Sequence, residues 1–276
     1  EDPYVVTGEA TLDTGRAPEF LLIADGQQID VSRIGNSGEG GKTGRNPQVS
    51  ARQRLQALLA IAADIPIPQV PGRASLFLPA VVVGDTTVRE VRLDVKPDGE
   101  GWQIDRADAL LPGRTTLEAK GRLTLKANRG FVGDLLVASN QPSGLATWLA
   151  GSVDPEIRKL KTAGFSAEVN LTDELQRFEN LEIAIGGASL LGRMERESRA
   201  DVPTLSLQLR GNEVALESLQ ALVGLVAGDT SLSAVLDHSI ALDIKADRFL
   251  AFGESASGVS AALSIKDGLL TLSRLN

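Results

Sequence analysis

The most regular feature of the sequence is an alternation of apolar and polar residues with a period of two. In VRLDVK, Val91, Leu93 and Val95 alternate with charged residues, and NLEIAI and TLSLQLR continue the pattern further along. Because successive side chains of a strand point to opposite faces of its sheet, this alternation predicts strands with one apolar and one polar face. The apolar positions form a candidate lining set: Val91, Leu93, Val95, Leu117, Leu123, Leu125, Val169, Leu171, Leu181, Ile183, Ile185, Leu205, Leu207, Leu209, Ile240, Leu242 and Ile244.

Short helical patterns interrupt the strands. Asp154 is suited to cap a helix, Pro155 to its first position and Gly164 to its end. Each helical pattern is amphipathic but short, so each is expected to lie on the sheet rather than to stand alone. The predicted helical segments are 50–64, 143–151, 154–164 and 216–226.

Composition excludes several classes of function. The chain has 276 residues and a net charge of −8, and no run of Lys or Arg offsets that charge locally. Nucleic acid is therefore not an expected partner, because phosphate neutralisation needs a basic face. The chain contains no cysteine, which removes disulfides, zinc–thiolate sites, iron–sulfur clusters and thiol nucleophiles together.

One glycine-rich stretch, GNSGEGGKTG at 35–44, ends like a phosphate-binding loop. The first glycine of that motif would fall at Asn36, and Pro47 follows where the motif requires the start of a helix. We therefore predict a mobile loop here and no nucleotide.

Catalytic chemistry has no clear candidate. His238 is the only histidine, and its neighbours Asp237 and Ser239 cannot form a triad with it, because adjacent residues of a strand point to opposite faces. The acidic residues are interspersed with basic ones rather than clustered as metal ligands. We predict that the protein is not an enzyme and holds no metal and no cofactor.

Two architectures are compatible with the alternation. In a closed sandwich, the apolar faces of two sheets pack against each other. In an open, curved sheet, the aliphatic face lines a groove that suits acyl chains, which need apolar surface without directional contacts. The periodicity alone favours the sandwich.

A long run of strand-and-glycine phrases resembles the AsmA-like family of Gram-negative bacteria, in its alphaproteobacterial form. It covers 121–171, GRLTLKANRGFVGDLLVASNQPSGLATWLAGSVDPEIRKLKTAGFSAEVNL, and continues in FENLEIAIGGASLLGRMER and IKADRFLAFGESASGVSAALSIKDGLLTLSRL. The resemblance extends over most of the chain after Leu76. It is diffuse and includes no catalytic motif.

This resemblance implies a fold and a function. AsmA-like proteins and their relatives TamB and YhdP are β-rich periplasmic proteins, anchored in the inner membrane by an N-terminal helix that this sequence does not contain. The implied function is binding and transfer of phospholipid between the inner and outer membranes, in outer-membrane biogenesis. The implied partners are phospholipid acyl chains, the membrane and envelope proteins. The alternative is a non-catalytic closed β-sandwich that scaffolds envelope protein assembly.

We therefore expect a mainly β fold, an elongated, curved antiparallel sheet that forms an open apolar groove with short amphipathic helices inserted. The expected organisation is an N-terminal β-repeat and mobile loop over 1–47, a helical insertion over 48–68, and the β-groove over 69–276 with helices near 143–163 and 216–226. The strand pattern stops at the last residues, so we also expect the chain to be a piece of a longer protein.

Overall fold

A computed structural model describes eight stretches of the chain: 6–30, 66–83, 86–126, 129–150, 155–198, 204–217, 239–266 and 269–275. Strands account for 77% of the structure and helices for 7%, which confirms the predicted mainly β class. The predicted loop of 35–44, the predicted helix of 50–64, His238 and most of 216–226 lie outside the described residues.

Fifteen strands and two helices make up the described structure. The strands are β1 (Val6–Asp13), β2 (Glu19–Gly26), β3 (Gln28–Asp30), β4 (Gly72–Val83), β5 (Thr86–Asp98), β6 (Gly101–Leu111), β7 (Thr115–Thr124), β8 (Gly130–Ser139), β9 (Ala163–Thr172), β10 (Leu175–Ile185), β11 (Ala188–Glu197), β12 (Thr204–Ala215), β13 (Ser239–Ala251), β14 (Glu254–Lys266) and β15 (Leu269–Leu275). The helices are α1 (Pro142–Ala150) and α2 (Pro155–Lys159), and both lie between β8 and β9.

All fifteen strands belong to one long, open and curved sheet. Their order across the sheet follows their order in the chain, except that β2 and the short β3 both pair with β4. The edge strands are β1 and β15. The described strands therefore form an open sheet, as the resemblance implied, and do not divide into the two layers of a sandwich.

Three strand pairings are parallel, whereas an antiparallel sheet was predicted throughout. They are β2 with β4, β3 with β4, and β12 with β13. Antiparallel neighbours can be joined by a tight turn, but parallel neighbours need a long crossover. Long connections do occur at these places, between Asp30 and Gly72 and between Ala215 and Ser239. Alternation carries no information on strand direction, so the sequence pattern could not show this.

Bulges keep the apolar residues on one face where the simple alternation fails. In β10, Phe178 and Leu181 are an odd number of residues apart, yet they pair with Met194 and Gly192 of the same face of β11. The register shift between them includes Asn180, whose φ is 48°. An inserted residue of this kind restores the phase of the strand.

One predicted helix end is wrong. Gly164 does not end α2 but lies within β9, where it pairs with Ala138 and Ala184. A Cβ at this position would lie 2.6 Å from the carbonyl oxygen of Val137. The glycine therefore permits two strand backbones to approach closely, which is a different physical reason from helix termination.

Candidate functional site

The pairing register arranges the side chains in rows that cross the sheet, because directly paired residues lie on the same face. We call one of them the central row. It takes one residue from every strand except β3, and all its members are apolar or glycine: Ala10, Leu22, Ala74, Val95, Ile104, Gly121, Gly133, Val169, Phe178, Met194, Leu207, Leu242, Leu263 and Leu272. At about 4.8 Å between neighbouring strands, this row is roughly 60 Å long.

A second row on the same face, the flanking row, is equally apolar. It contains Gly8, Ala24, Leu76, Leu93, Ala107, Ala119, Leu135 and Ala167, and after the bulge in β10 it continues through Leu181, Gly192, Leu209, Ile244 and Ala261. Two adjacent rows without a charged side chain form an apolar band along the sheet.

The structure brings sixteen of the seventeen predicted lining residues to this one face, and Leu125 follows the end of β7. Val95, Val169, Leu207 and Leu242 belong to the central row, and Leu93, Leu181, Leu209 and Ile244 to the flanking row. The others in β5, β9, β10, β12 and β13 continue the alternation of those strands, and Leu117 and Leu123 of β7 share the face of Ala119 and Gly121. Eleven are half-buried. The remaining six are buried: Leu125, Val169, Leu181, Ile183, Ile185 and Leu209.

The face is covered in its middle part, across β9 to β13. Leu190 and Val214 are 0% exposed there, and Ile183 is 8% exposed. They belong to the main hydrophobic core of the described residues, and Leu160, which follows α2, packs against it from outside the strands. The predicted open lining is therefore occluded around Ile183.

Toward both ends of the sheet the face is more accessible. Leu93 and Val95 in β5 are half-buried, as is Leu263 in β14. At the last strand, Leu272 is 53% exposed. A ligand would therefore meet apolar surface most readily on the strands that flank the covered part.

The opposite face of the sheet is charged. Ion pairs join neighbouring strands, with 2.5 Å between Lys96 Nζ and Asp105 Oδ2, 2.9 Å between Arg122 Nε and Asp98 Oδ2, and 2.6 Å between Arg177 Nε and Glu195 Oε2. The hydrogen bond to Glu195, and then the negative charge of that residue, raise the pKa of the Arg177 guanidinium above its usual range. Exposed pairs of this kind contribute little stability. They keep this face hydrated.

Two depressions lie on the charged face rather than on the apolar one. The first is bounded by residues such as Glu182, Arg193 and Asp243, and the second by residues such as Lys120 and Glu168. Both are lined by side chains of both signs. Neither provides the enclosed apolar volume that is typical of a small-molecule site.

A buried polar cluster fixes the start of α1 to the turn between β6 and β7. Thr115 Oγ1 lies 2.8 Å from the carbonyl oxygen of Pro112 and 2.9 Å from Ser139 Oγ. Ser139 Oγ donates to the carbonyl of Gly113 at 3.0 Å and accepts from the N–H of Gln141 at 3.2 Å. Thr115 is 0% exposed and Ser139 is 4% exposed. The sequence analysis missed this cluster, although a Pro-Gly turn followed by threonine was the available signal.

The described residues hold no group of three or more His, Cys, Asp or Glu side chains that could bind a metal ion. Within the same ranges, no helix is long and apolar enough to cross a bilayer. The absence of catalysis stays a prediction.

Comparison of the chain with protein-family models, with curated proteins and with solved structures finds no match. The resemblance to AsmA-like proteins is therefore a prediction from the quoted sequence phrases.

Proposed function

We propose that the protein binds phospholipid acyl chains along its apolar face and passes them between the inner and outer membranes of a Gram-negative envelope. The observation that carries the proposal is the central row, which is apolar or glycine on fourteen strands in succession. An acyl chain requires apolar surface and no directional contact, and an aliphatic row provides this combination.

The length of the row favours a conduit over a pocket for one ligand. The hydrocarbon core of a bilayer is about 30 Å thick and contains two acyl chains end to end. The central row, roughly 60 Å long, therefore matches about four chains in series. Each acyl methylene that is removed from water contributes about 0.8 kcal/mol to binding. A lipid that moves from one segment of the row to the next therefore keeps a similar binding free energy.

The resemblance to the AsmA-like family supports the location that we propose for this function. In that family the groove lies in the periplasm and is attached to the inner membrane through an N-terminal helix. We propose the same location for the full-length protein.

The proposal is tested by lipid analysis of two adjacent variants in β13. Leu242 lies in the central row and is half-buried, whereas Ala241 is exposed and pairs with Ser206 and Ser264 on the charged face. Leu242→Asp places a carboxylate on the apolar face, where it must be desolvated by a passing acyl chain. Ala241→Asp introduces the same charge into the same strand on the other face.

We expect the unmodified protein and Ala241→Asp to retain phospholipid, measured by mass spectrometry of organic extracts, and to transfer a fluorescent phospholipid between vesicles. Leu242→Asp should lose both properties while its circular dichroism stays unchanged. Purified protein without phospholipid, or equal retention by both variants, contradicts the proposal. Protein that carries no lipid but captures envelope proteins supports the scaffold alternative.

A further inference from the structure

A third row on the apolar face lies beside the central row, and we call it the border row. Each member lies two positions along its strand from the member of the central row and therefore shares its face. The row contains one residue from each strand from β5 to β15: Pro97, Trp102, Leu123, Phe131, Leu171, Gln176, Arg196, Leu205, Ile240, Ile265 and Leu270. All are apolar except Gln176 and Arg196, which are direct partners in β10 and β11. Among the members of the central, flanking and border rows, Arg196 alone is charged.

The Arg196 side chain has no partner within the described stretches of the chain. It is half-buried, and neither its guanidinium nor the Gln176 amide takes part in an ion pair or a hydrogen bond there. The adjacent carboxylates, Glu195 and Glu197, lie on the charged face, because successive side chains of a strand alternate between faces. Glu195 accepts a hydrogen bond from Arg177 on that face. A half-buried cation without an anion favours a negatively charged ligand.

These two polar residues lie at the rim of the apolar face, close to the ends of their strands. Gln176 is the second residue of β10, and Arg196 is the last but one of β11. Neighbouring positions of one face are about 6.6 Å apart along a strand, so Arg196 lies that far from Met194 in the central row. The aliphatic stem of an arginine lies along apolar surface while its charged head reaches water. A lipid whose acyl chain lies on the central row can therefore place its head group beside Arg196.

We propose that Arg196 and Gln176 bind the phosphate group of a phospholipid whose acyl chains lie on the central row. A guanidinium presents N–H donors in a planar fork that matches two phosphate oxygens. Directly paired residues have Cβ atoms about 4.5–5.5 Å apart, so the Gln176 amide can donate to the same phosphate. The net charge of −8 gives the rest of the chain no general attraction for phosphate. The contact rests on the proposed function, and it selects lipids with a phosphate over neutral lipids with the same acyl chains.

Lipid competition tests this phosphate contact. The protein is incubated with vesicles of phosphatidylglycerol that contain a minor fraction of diacylglycerol with the same acyl chains, and the two lipids in its organic extract are quantified by mass spectrometry. The unmodified protein should enrich phosphatidylglycerol relative to the vesicles. Arg196→Gln should lower the ratio of bound phosphatidylglycerol to bound diacylglycerol roughly tenfold, since a hydrogen bond between charged groups is stronger than a neutral one. Arg196→Lys keeps the charge and should retain most of the preference.

Two further variants complete the comparison. Gln176→Leu matches the apolar residues of the border row and removes only a neutral donor, so it should lower the ratio roughly threefold. Arg193→Gln is the control, because Arg193 is exposed on the charged face of the same strand, with 3.0 Å between its Nε and Gln208 Oε1. It should leave the ratio unchanged. The circular dichroism of every variant should match that of the unmodified protein.

The outcomes separate the phosphate contact from acyl-chain binding. The same ratio of bound lipids in the unmodified protein, Arg196→Gln and Gln176→Leu overturns the phosphate contact and leaves acyl-chain binding intact. A protein that extracts neither lipid contradicts the proposed function and this contact with it. In calorimetry, inorganic phosphate alone should bind far more weakly than a short-chain phosphatidylglycerol, because it lacks the acyl chains. Equal affinities for the two, both reduced in Arg196→Gln, would assign the site to the free ion and contradict a lipid contact.

Discussion

At the residue scale, the face on which a side chain lies decides its energetic role. Leu190 and Leu191 are neighbours in β11 and chemically identical. Leu190 lies on the apolar face and is 0% exposed, whereas Leu191 lies on the charged face and is 39% exposed. Leu190 belongs to the main hydrophobic core, where each buried methylene has close packing partners.

Leu190→Ala should lower the free energy of unfolding by roughly 2–5 kcal/mol, because it removes buried methylenes and leaves a cavity. Leu191→Ala is the matched control and should change it by less than about 0.5 kcal/mol. Urea unfolding followed by circular dichroism measures both. Equal losses in the two variants would mean that the two faces of β11 are not distinguished as described.

The Thr115–Ser139 cluster permits a second prediction at this scale. Thr115→Val keeps the shape of the side chain but leaves Ser139 and the Pro112 carbonyl short of a partner in a buried site. We expect a loss of about 1–3 kcal/mol in the free energy of unfolding. Thr116→Val, on the opposite face of the same strand, should be near neutral. Chemical denaturation measures the free energy of unfolding of both variants. An unchanged value for Thr115→Val would show that the cluster contributes no stability.

Alternation is a local property that each strand carries by itself, so it could be read from the sequence strand by strand, whereas the role of these residues as a lipid lining stays a prediction. Sixteen of the seventeen predicted lining residues lie on that face, and Leu125 follows the end of β7. The burial of Ile183 could not be predicted, since it depends on tertiary packing by residues outside the strands, such as Leu160, which alternation within a strand does not reveal. The positive φ angles at Glu90 and Asn180 could not be predicted from the sequence either, because glycine is the usual signal for such a conformation and neither residue is a glycine.

At the scale of the elements, the pairing of β7 with β8 depends on two facing glycines. Gly121 pairs with Gly133 in the central row. A Cβ built on Gly121 meets the carbonyl oxygen of Val132 and the Cα of Gly133, and both of these atoms belong to the backbone. No change of rotamer can relieve such a contact. The two strands must instead move apart.

Gly121→Val should therefore lower the melting temperature strongly or prevent folding, because overpacking against backbone costs more than overpacking against a flexible side chain. Ala119→Val, two residues earlier in β7 and on the same face, is the control. Ala119 is half-buried, and the added methyl groups should cost no more than about 1–3 kcal/mol. Thermal unfolding by circular dichroism gives both values. Similar melting temperatures for the two variants would rule out a special role for the glycine pair.

At the scale of the whole molecule, the sheet is close to a one-dimensional array. The extensive contacts of each described strand are with its neighbours in the sheet. The core lies between β8 and β13, and β1 is exposed throughout. In such an array stability is close to a sum of local terms, and separate parts can open independently.

Hydrogen exchange followed by mass spectrometry should therefore show graded protection. Amides of β1 and β2 should exchange first, and those of β10 to β12 last. Leu190→Ala should accelerate exchange in β10 to β12 and leave β5 to β7 unchanged. Acceleration of all strands to the same extent would instead indicate one cooperative unit.

The central row also contains a reporter of its own. Met194 is the only methionine of the chain, and its neighbours in the row are Phe178 and Leu207. Selective labelling of the methionine methyl group with carbon-13 therefore gives a single resonance from the middle of the apolar face. The ring current of Phe178 makes its chemical shift sensitive to small movements of the two side chains. Contact of an apolar molecule with this covered part of the face thus becomes readable from one peak, without a modified ligand and without a substitution in the protein.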